Sequence, residues 1–370
     1  MQNQSVTRLR LSSPERLYGL DVIRGIAILF VLLRHAWPEI FGGAGVVGVV
    51  MFFALSGYLI TGLLARDIEI FGKVRFRRFY VHRFLRLIPP LVALLAGFAL
   101  IEGFWNLLGD RDEIARSVLV AMTYTMNIPG FDHGSAALEH LWTLATEEQF
   151  YLIWPLALLL AFRMKRPTLL TVLCFVLLTV LCAASIVMVY PQVTKIYSLP
   201  TSWFTAMLIG ALACLEKHRL SRVLCREGWQ RIALPGLALT SLTAICLFPE
   251  VKDWVATYLI LGPFIAVATV VAIFEFARWR SSRVPALMKP LWGLGLVSYA
   301  AYLWNYPIAA WVGERPLDAF QGSASIVLTV VAAIVSWFAV ERPIAKLRKR
   351  VDAKRSQVTS EEVAAQTVAS

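Results

Sequence analysis

The sequence predicts an all-α, polytopic integral membrane protein of about ten transmembrane helices, with both termini cytoplasmic. Three observations predict it. Hydrophobic residues make up 58% of the chain and charged ones 16%, with a mean hydropathy of +0.66, too apolar for a water-soluble globule. The apolar residues gather into runs near the length a bilayer requires, about 20 residues each. Lys and Arg fall between the runs on alternate sides: with the N-terminus inside, the inner segments carry 29 and the outer ones 5. In lipid only helices and closed barrels satisfy the backbone, and runs this continuous are helices.

In chain order, residues 1–18 are polar and basic, with no apolar core or small-residue cleavage site, so no cleavable signal peptide is expected. Spans follow at 20–37, 45–65, 85–104, 147–163, 168–190, 200–216, 231–248, 254–277, 292–312 and 323–341, each bounded by polar or Pro/Gly punctuation. The inner segment 66–86 holds seven basic residues interleaved with aromatics, the pattern of an amphipathic helix at the membrane surface leading into the third span. The outer segment 105–146 is the longest connection, and its middle, 114–124, is apolar enough for an interfacial or re-entrant helix. After Arg355 the chain turns polar and rich in small residues, which divides it into a membrane domain (1–350) and a disordered cytoplasmic tail (351–370).

The net charge of +12 would suit a nucleic-acid binder, but its placement between apolar runs is that of cytoplasmic membrane loops, so no nucleic-acid partner is expected. The five cysteines, at 174, 182, 214, 225 and 246, form no CxxC pair; they read as small hydrophobes, with no disulfide framework and no metal site.

Four groups of residues carry chemistry. Arg24 and His35 lie eleven apart within the first span. On a helix this leaves them only ~20° apart around the axis and roughly 16 Å apart along it. Ionisable residues within a span usually face a protein interior or an aqueous cavity. The alternative is that Arg24 snorkels to the headgroups and His35 sits at the far interface. Arg83 and Arg86, three apart, share a helical face and suit bidentate recognition of phosphate, whereas the basic residues at 73–78 read as an anchor to anionic lipid. Glu147 and Glu148 open the fourth span, where Thr146 to Gln149 also fits a capping box. Ser298, Tyr302 and Asn305 fall on roughly one face of the ninth span, as a cavity lining or as part of an aromatic belt.

With these residues in view, the chain resembles the acyltransferase-3 family of bacterial integral-membrane acyltransferases over about residues 15–345. Arg24 and His35 have that family's spacing in the first span, and Phe52-Phe-Ala-Leu-Ser-Gly-Tyr58 is similar to its second-span element. Arg83-x-x-Arg86 before Pro89, His140-Leu-Trp142 with Glu147-Glu-Gln-Phe-Tyr151, and Ser298-Tyr…Tyr302-Leu…Pro307 match further motifs, as does Glu341-Arg-Pro343. Asn305 stands where the family often has histidine, Val50 where it often has an acidic or polar residue, and Thr143 replaces a serine.

The resemblance implies transfer of an acyl group, usually acetyl, from cytoplasmic acyl-CoA to a hydroxyl of a carbohydrate. Implied acceptors are lipopolysaccharide O-antigen, exopolysaccharide, a related glycan or a glycosylated metabolite. The implied location is the bacterial cytoplasmic (inner) membrane, with membrane lipids as neighbours, no metal, and oligomeric state left open. Some family members carry an extracytoplasmic hydrolase-like domain, for which 370 residues leave no room. By role, Arg83 and Arg86 would hold the CoA phosphates, and Arg24 would guide the pantetheine or polarise the thioester. His35 would act as general base or accept the acyl group, an imidazole pKa of about 6.5 suiting proton transfer. Glu147 or Glu148 would orient that ring, and His140, Trp142, Tyr151, Ser298, Tyr302 and Asn305 would bind the acceptor. A transporter or flippase for a lipid-linked sugar is the competing class, against which stand the absence of repeated halves and the inner arginine loop.

Overall fold

The computed structural model describes residues 18–130, 132–224, 230–278, 284–313 and 316–347. The basic start, Cys225 and the tail beyond Arg355 lie outside them. Among the described residues every regular element is helical. The helices are α1 (Tyr18–Ala36), α2 (Ala44–Phe71), α3 (Phe76–Phe104), α4 (Ile114–Met122), α5 (Trp142–Arg163), α6 (Pro167–Val189), α7 (Pro200–Leu215), α8 (Lys217–Leu224), α9 (Gln230–Cys246), α10 (Gly262–Phe276), α11 (Lys289–Leu296), α12 (Ser298–Val312) and α13 (Ala319–Ser336). Five helical stretches are long and apolar enough to cross a bilayer: Ala44–Phe71, Phe76–Phe104, Pro167–Val189, Thr257–Phe276 and Ala319–Leu347. The first and third of these are built differently. α2 is mostly enclosed by protein, whereas α6 turns Leu169, Val172, Leu173, Val176 and Val180 outward, as a helix facing lipid does.

The structure departs from the sequence expectations at three places that matter for the site. The basic segment and the third span form one helix, α3, with Pro89 and Pro90 inside it. The ninth span is broken: at Val297 the backbone leaves helical geometry (φ −101°, ψ 9°), separating α11 from α12. Val297 is buried, consistent with irregular backbone at membrane depth being tolerated only inside protein. Finally, Thr146 and Gln149 form no cap. A short 3₁₀ turn, Ala136–Leu141, leads into α5 at Trp142, so Thr146 lies within the helix and bonds back to the Trp142 carbonyl at 3.0 Å. Gln149 instead exchanges hydrogen bonds with Asn127, both at 2.9 Å. The middle of the outer connection is helical, as α4.

Glycines set how closely the helices pack. A Cβ on Gly57 would strike the Met207 backbone and one on Gly210 the Ala54 backbone, so α2 and α7 meet along their main chains. Gly25 and Gly295 do the same for α1 and α11: a Cβ on Gly25 would strike the Leu291 carbonyl, and one on Gly295 the Asp21 carbonyl. The register of those contacts runs α11 antiparallel to α1 before the chain turns at Val297. Where lipid removes the hydrophobic drive between helices, such small residues let dispersion forces take over.

Candidate active site

Arg24 and His35 both lie on α1, which is one unbroken helix from Tyr18 to Ala36. Arg24 is held at its base by Asp21, one turn earlier, with Nη1 3.3 Å from Oδ1. Asp21 is buried, and this partner was missed in the sequence although an acid three residues before an arginine is a recognisable pair.

The Arg24 side chain opens into a cavity of about 800 Å³, its mouth included, that Arg83 and Arg86 also line. Both arginines project from the first half of α3. The Arg83 guanidinium lies over the Tyr151 ring, 3.5 Å from its centroid, a contact favourable to a desolvated cation. Its Nε is buried and has no hydrogen-bond acceptor among the described residues. Arg86 is the more exposed of the two. Glu147 faces the same cavity, accepting hydrogen bonds from Ser56 at 2.9 Å and Tyr151 at 3.2 Å. Its neighbour Glu148 is not among the residues that line the cavity, and one of its carboxylate oxygens is buried without a hydrogen-bond partner among the described residues. Ser298, Tyr299, Tyr302 and Thr143 complete the polar lining, while Val49, Phe52, Phe53 and Leu144 make an apolar wall. Outside the spans, burial and then the Glu148 carboxylate push the Tyr124 phenol above its ordinary range, which keeps it neutral.

A hydrogen-bond chain bounds the cavity on one side. Thr143 donates to the Tyr302 hydroxyl at 2.6 Å, and Tyr302 donates to the His140 carbonyl at 2.8 Å. His35, His140 and Asn305 are not among the residues that line the cavity. The His35 Nδ1 lies 2.5 Å from Asn305 Oδ1, and the Asn305 amide donates to Thr329 Oγ1 at 3.4 Å. The Tyr306 ring stands edge-on to His35, with centroids 4.9 Å apart at 87°, and is stacked on its other side by His140 at 5.3 Å and 16°. His140 Nε2 meets the Leu303 carbonyl at 3.1 Å.

Several expectations are therefore redrawn. The ring of His35 is paired with an amide, while Glu147 is committed to Ser56 and Tyr151. A glutamate orienting His35 does not describe this arrangement. Trp142 is packed among Phe53, Tyr197 and Trp203 and is part of the core, so a surface for an acceptor does not describe it. Val50 is fully buried, and it is Val49 that reaches the cavity. Sequence reasoning passed over Ser56 and Tyr299, although both sit inside quoted motifs. Among the described residues no three side chains of metal-binding type gather at one point.

A cavity lined by three arginines, one of them on a helix that also bears an imidazole, among helices long and apolar enough to cross a bilayer, defines a class: a helical membrane protein with a basic cavity. Comparison with known proteins makes this specific. The acyltransferase-3 family model, described as an acyltransferase domain, matches residues 17–342, and the chain belongs to that family. It is 28% identical over 372 residues to the O-acetyltransferase OatA of Staphylococcus aureus (strain NCTC 8325 / PS 47), covering 94% of this chain and 60% of that protein. The peptidoglycan O-acetyltransferase OatA of Listeria monocytogenes is 30% identical over 356 residues, covering 89% and 56% respectively. The putative peptidoglycan O-acetyltransferase YrhL of Bacillus subtilis is 29% identical over 358 residues, covering 88% and 54%. The chain thus spans less than two thirds of the length of these relatives. No solved structure matches it.

Proposed function

We propose that the chain is a membrane O-acetyltransferase that moves acetyl from cytoplasmic acetyl-CoA to a hydroxyl of a cell-envelope glycan. The names of its relatives favour peptidoglycan over O-antigen or exopolysaccharide. The protein spans the bacterial cytoplasmic membrane ten times with both termini inside, the arrangement that best separates 29 inner from 5 outer basic residues.

The observation that carries this reading is the convergence of Arg24, Arg83 and Arg86 on one cavity, Arg24 coming from the helix that presents His35 further along. Arg83 and Arg86 bind the phosphates of the donor, with guanidinium forks suited to them. Glu147 limits the repulsion among the three cations and holds Ser56 and Tyr151 in place. Arg24 steers the pantetheine arm past Tyr302 toward His35. There the acceptor oxygen bonds to the thioester carbonyl carbon while its proton passes to the His35 ring. The carbon–sulfur bond then breaks, and the ring returns the proton to the departing thiolate.

Membranes containing the protein, labelled acetyl-CoA and peptidoglycan fragments test this directly. Label should move onto the glycan with wild type and not with His35→Ala. Transfer undiminished in His35→Ala would sink the role of the imidazole. Failure of both transfer and acetyl-CoA binding would favour the lipid-linked-sugar transporter, whose one structural support is the helix broken at Val297.

A further inference from the structure

We propose that Asn305 is a positioning residue that fixes the tautomer of His35, leaving Nε2 of the ring as the basic nitrogen. The catalytic consequence rests on the acyl-transfer reading, while the geometry does not.

A carboxamide oxygen only accepts hydrogen bonds, so its position 2.5 Å from His35 Nδ1 requires the hydrogen on Nδ1. With the amide oxygen turned to the ring, Nδ2 at its other end donates to Thr329 Oγ1. Asn305 and Thr329 are both wholly buried, so bulk water offers the amide no alternative partners if it turns. Tyr306, edge-on to the ring, limits its rotation about χ2. With Nδ1 protonated, the lone pair of the neutral ring is on Nε2, at the far corner from Asn305. An amide directs the ring without titrating and without supplying charge. The role is directional, and it arises from α12, 270 residues away in sequence.

Two substitutions separate this role from simple space-filling. Asn305→Asp keeps an acceptor oxygen in place, and Asn305→Leu keeps the size without one. A space-filling role in apolar surroundings favours leucine over a carboxylate; a directional role gives the reverse order. The expected result is a kcat lower by about 100-fold in Asn305→Leu and by about tenfold or less in Asn305→Asp. In both, KM for acetyl-CoA should stay within about twofold of wild type. Leucine matching or exceeding aspartate overturns the proposal.

A second measurement does not depend on finding the acceptor. The full chain is labelled with ring-¹⁵N histidine, placed in lipid nanodiscs, and its His35 signal is assigned by comparison with His35→Gln. Wild type should give Nδ1 protonated and Nε2 bare, and Asn305→Leu should shift the ring toward the opposite tautomer. An Nε2-protonated ring in wild type, or no change in Asn305→Leu, overturns the assignment. The expected tautomer without transfer to any glycan would uphold Asn305 and remove the acyltransferase reading instead.

Discussion

The two ends of α1 solve different electrostatic problems. Around Arg24 the protein gathers formal charges: three guanidiniums and the Glu147 carboxylate share one cavity that opens to its surroundings. Around His35 it gathers neutral polar groups and rings: the Asn305 amide, the Thr329 hydroxyl, Tyr306 and His140. Charge is affordable where water or an ionic ligand can screen it, and costly where the surroundings are closed. The difference teaches that the site is divided by task. On the proposed reading, one end holds an anion and the other holds a proton acceptor in one orientation.

The sharpest way to break this division is at its uncharged end. His35→Ala should lower kcat by about 10²–10⁴-fold while acetyl-CoA binding, measured by calorimetry in nanodiscs, stays near wild type. Next comes the charged end. Arg86→Ala should weaken acetyl-CoA binding by about 10–100-fold, the worth of a charge-assisted hydrogen bond, with a smaller effect on kcat. Because Arg86 lines the cavity on α3 and His35 lies on α1 outside that lining, the free-energy effects of His35→Ala and Arg86→Ala on kcat/KM should add within about 0.5 kcal/mol. A large coupling would mean that the two ends act as one unit. Tyr151→Leu removes the ring under Arg83 and a bond to Glu147, and should raise KM for acetyl-CoA a fewfold, as loss of about 1 kcal/mol of cation–π contact implies. The smallest effect is expected at the boundary. Tyr302→Phe deletes the hydroxyl that accepts from Thr143 and donates to the His140 carbonyl, and should lower thermal stability by about 1 kcal/mol with acetyl-CoA binding intact.

Much of the charged end was legible in the sequence, because its residues announce themselves locally. Arg83 and Arg86 are three apart on a helix, and an arginine within an apolar span stands out in any composition scan. The uncharged end was legible only in part. His35 was evident, but its partner lies on α12, and nothing in a single sequence ties residue 35 to residue 305. The glutamate pair illustrates the opposite failure: a suitable carboxylate was visible, and its distance from His35 was not. Thr146 and Gln149 matched a capping pattern because the pattern is short, while the preceding 3₁₀ turn had already started the helix. The break at Val297 left a faint trace in Gly293 and Gly295, which weaken a helix, but Gly295 is explained only by the backbone of α1 lying against it.

The prolines inside α3 acquire a meaning from the glycine seams elsewhere. Helices α1, α2, α7 and α11 touch main chain to main chain, which leaves them no room to slide, so Arg24 and His35 ride on a fixed frame. Arg83 and Arg86 do not. They sit on the short arm of α3, just ahead of Pro89 and Pro90, where two successive residues donate no backbone hydrogen bond. That point is a natural elbow. On the proposed reading, the place of the donor's phosphates is therefore set by the arm of α3 ahead of those prolines, and the place of the imidazole by the packed frame, so the two are fixed by separate parts of the molecule.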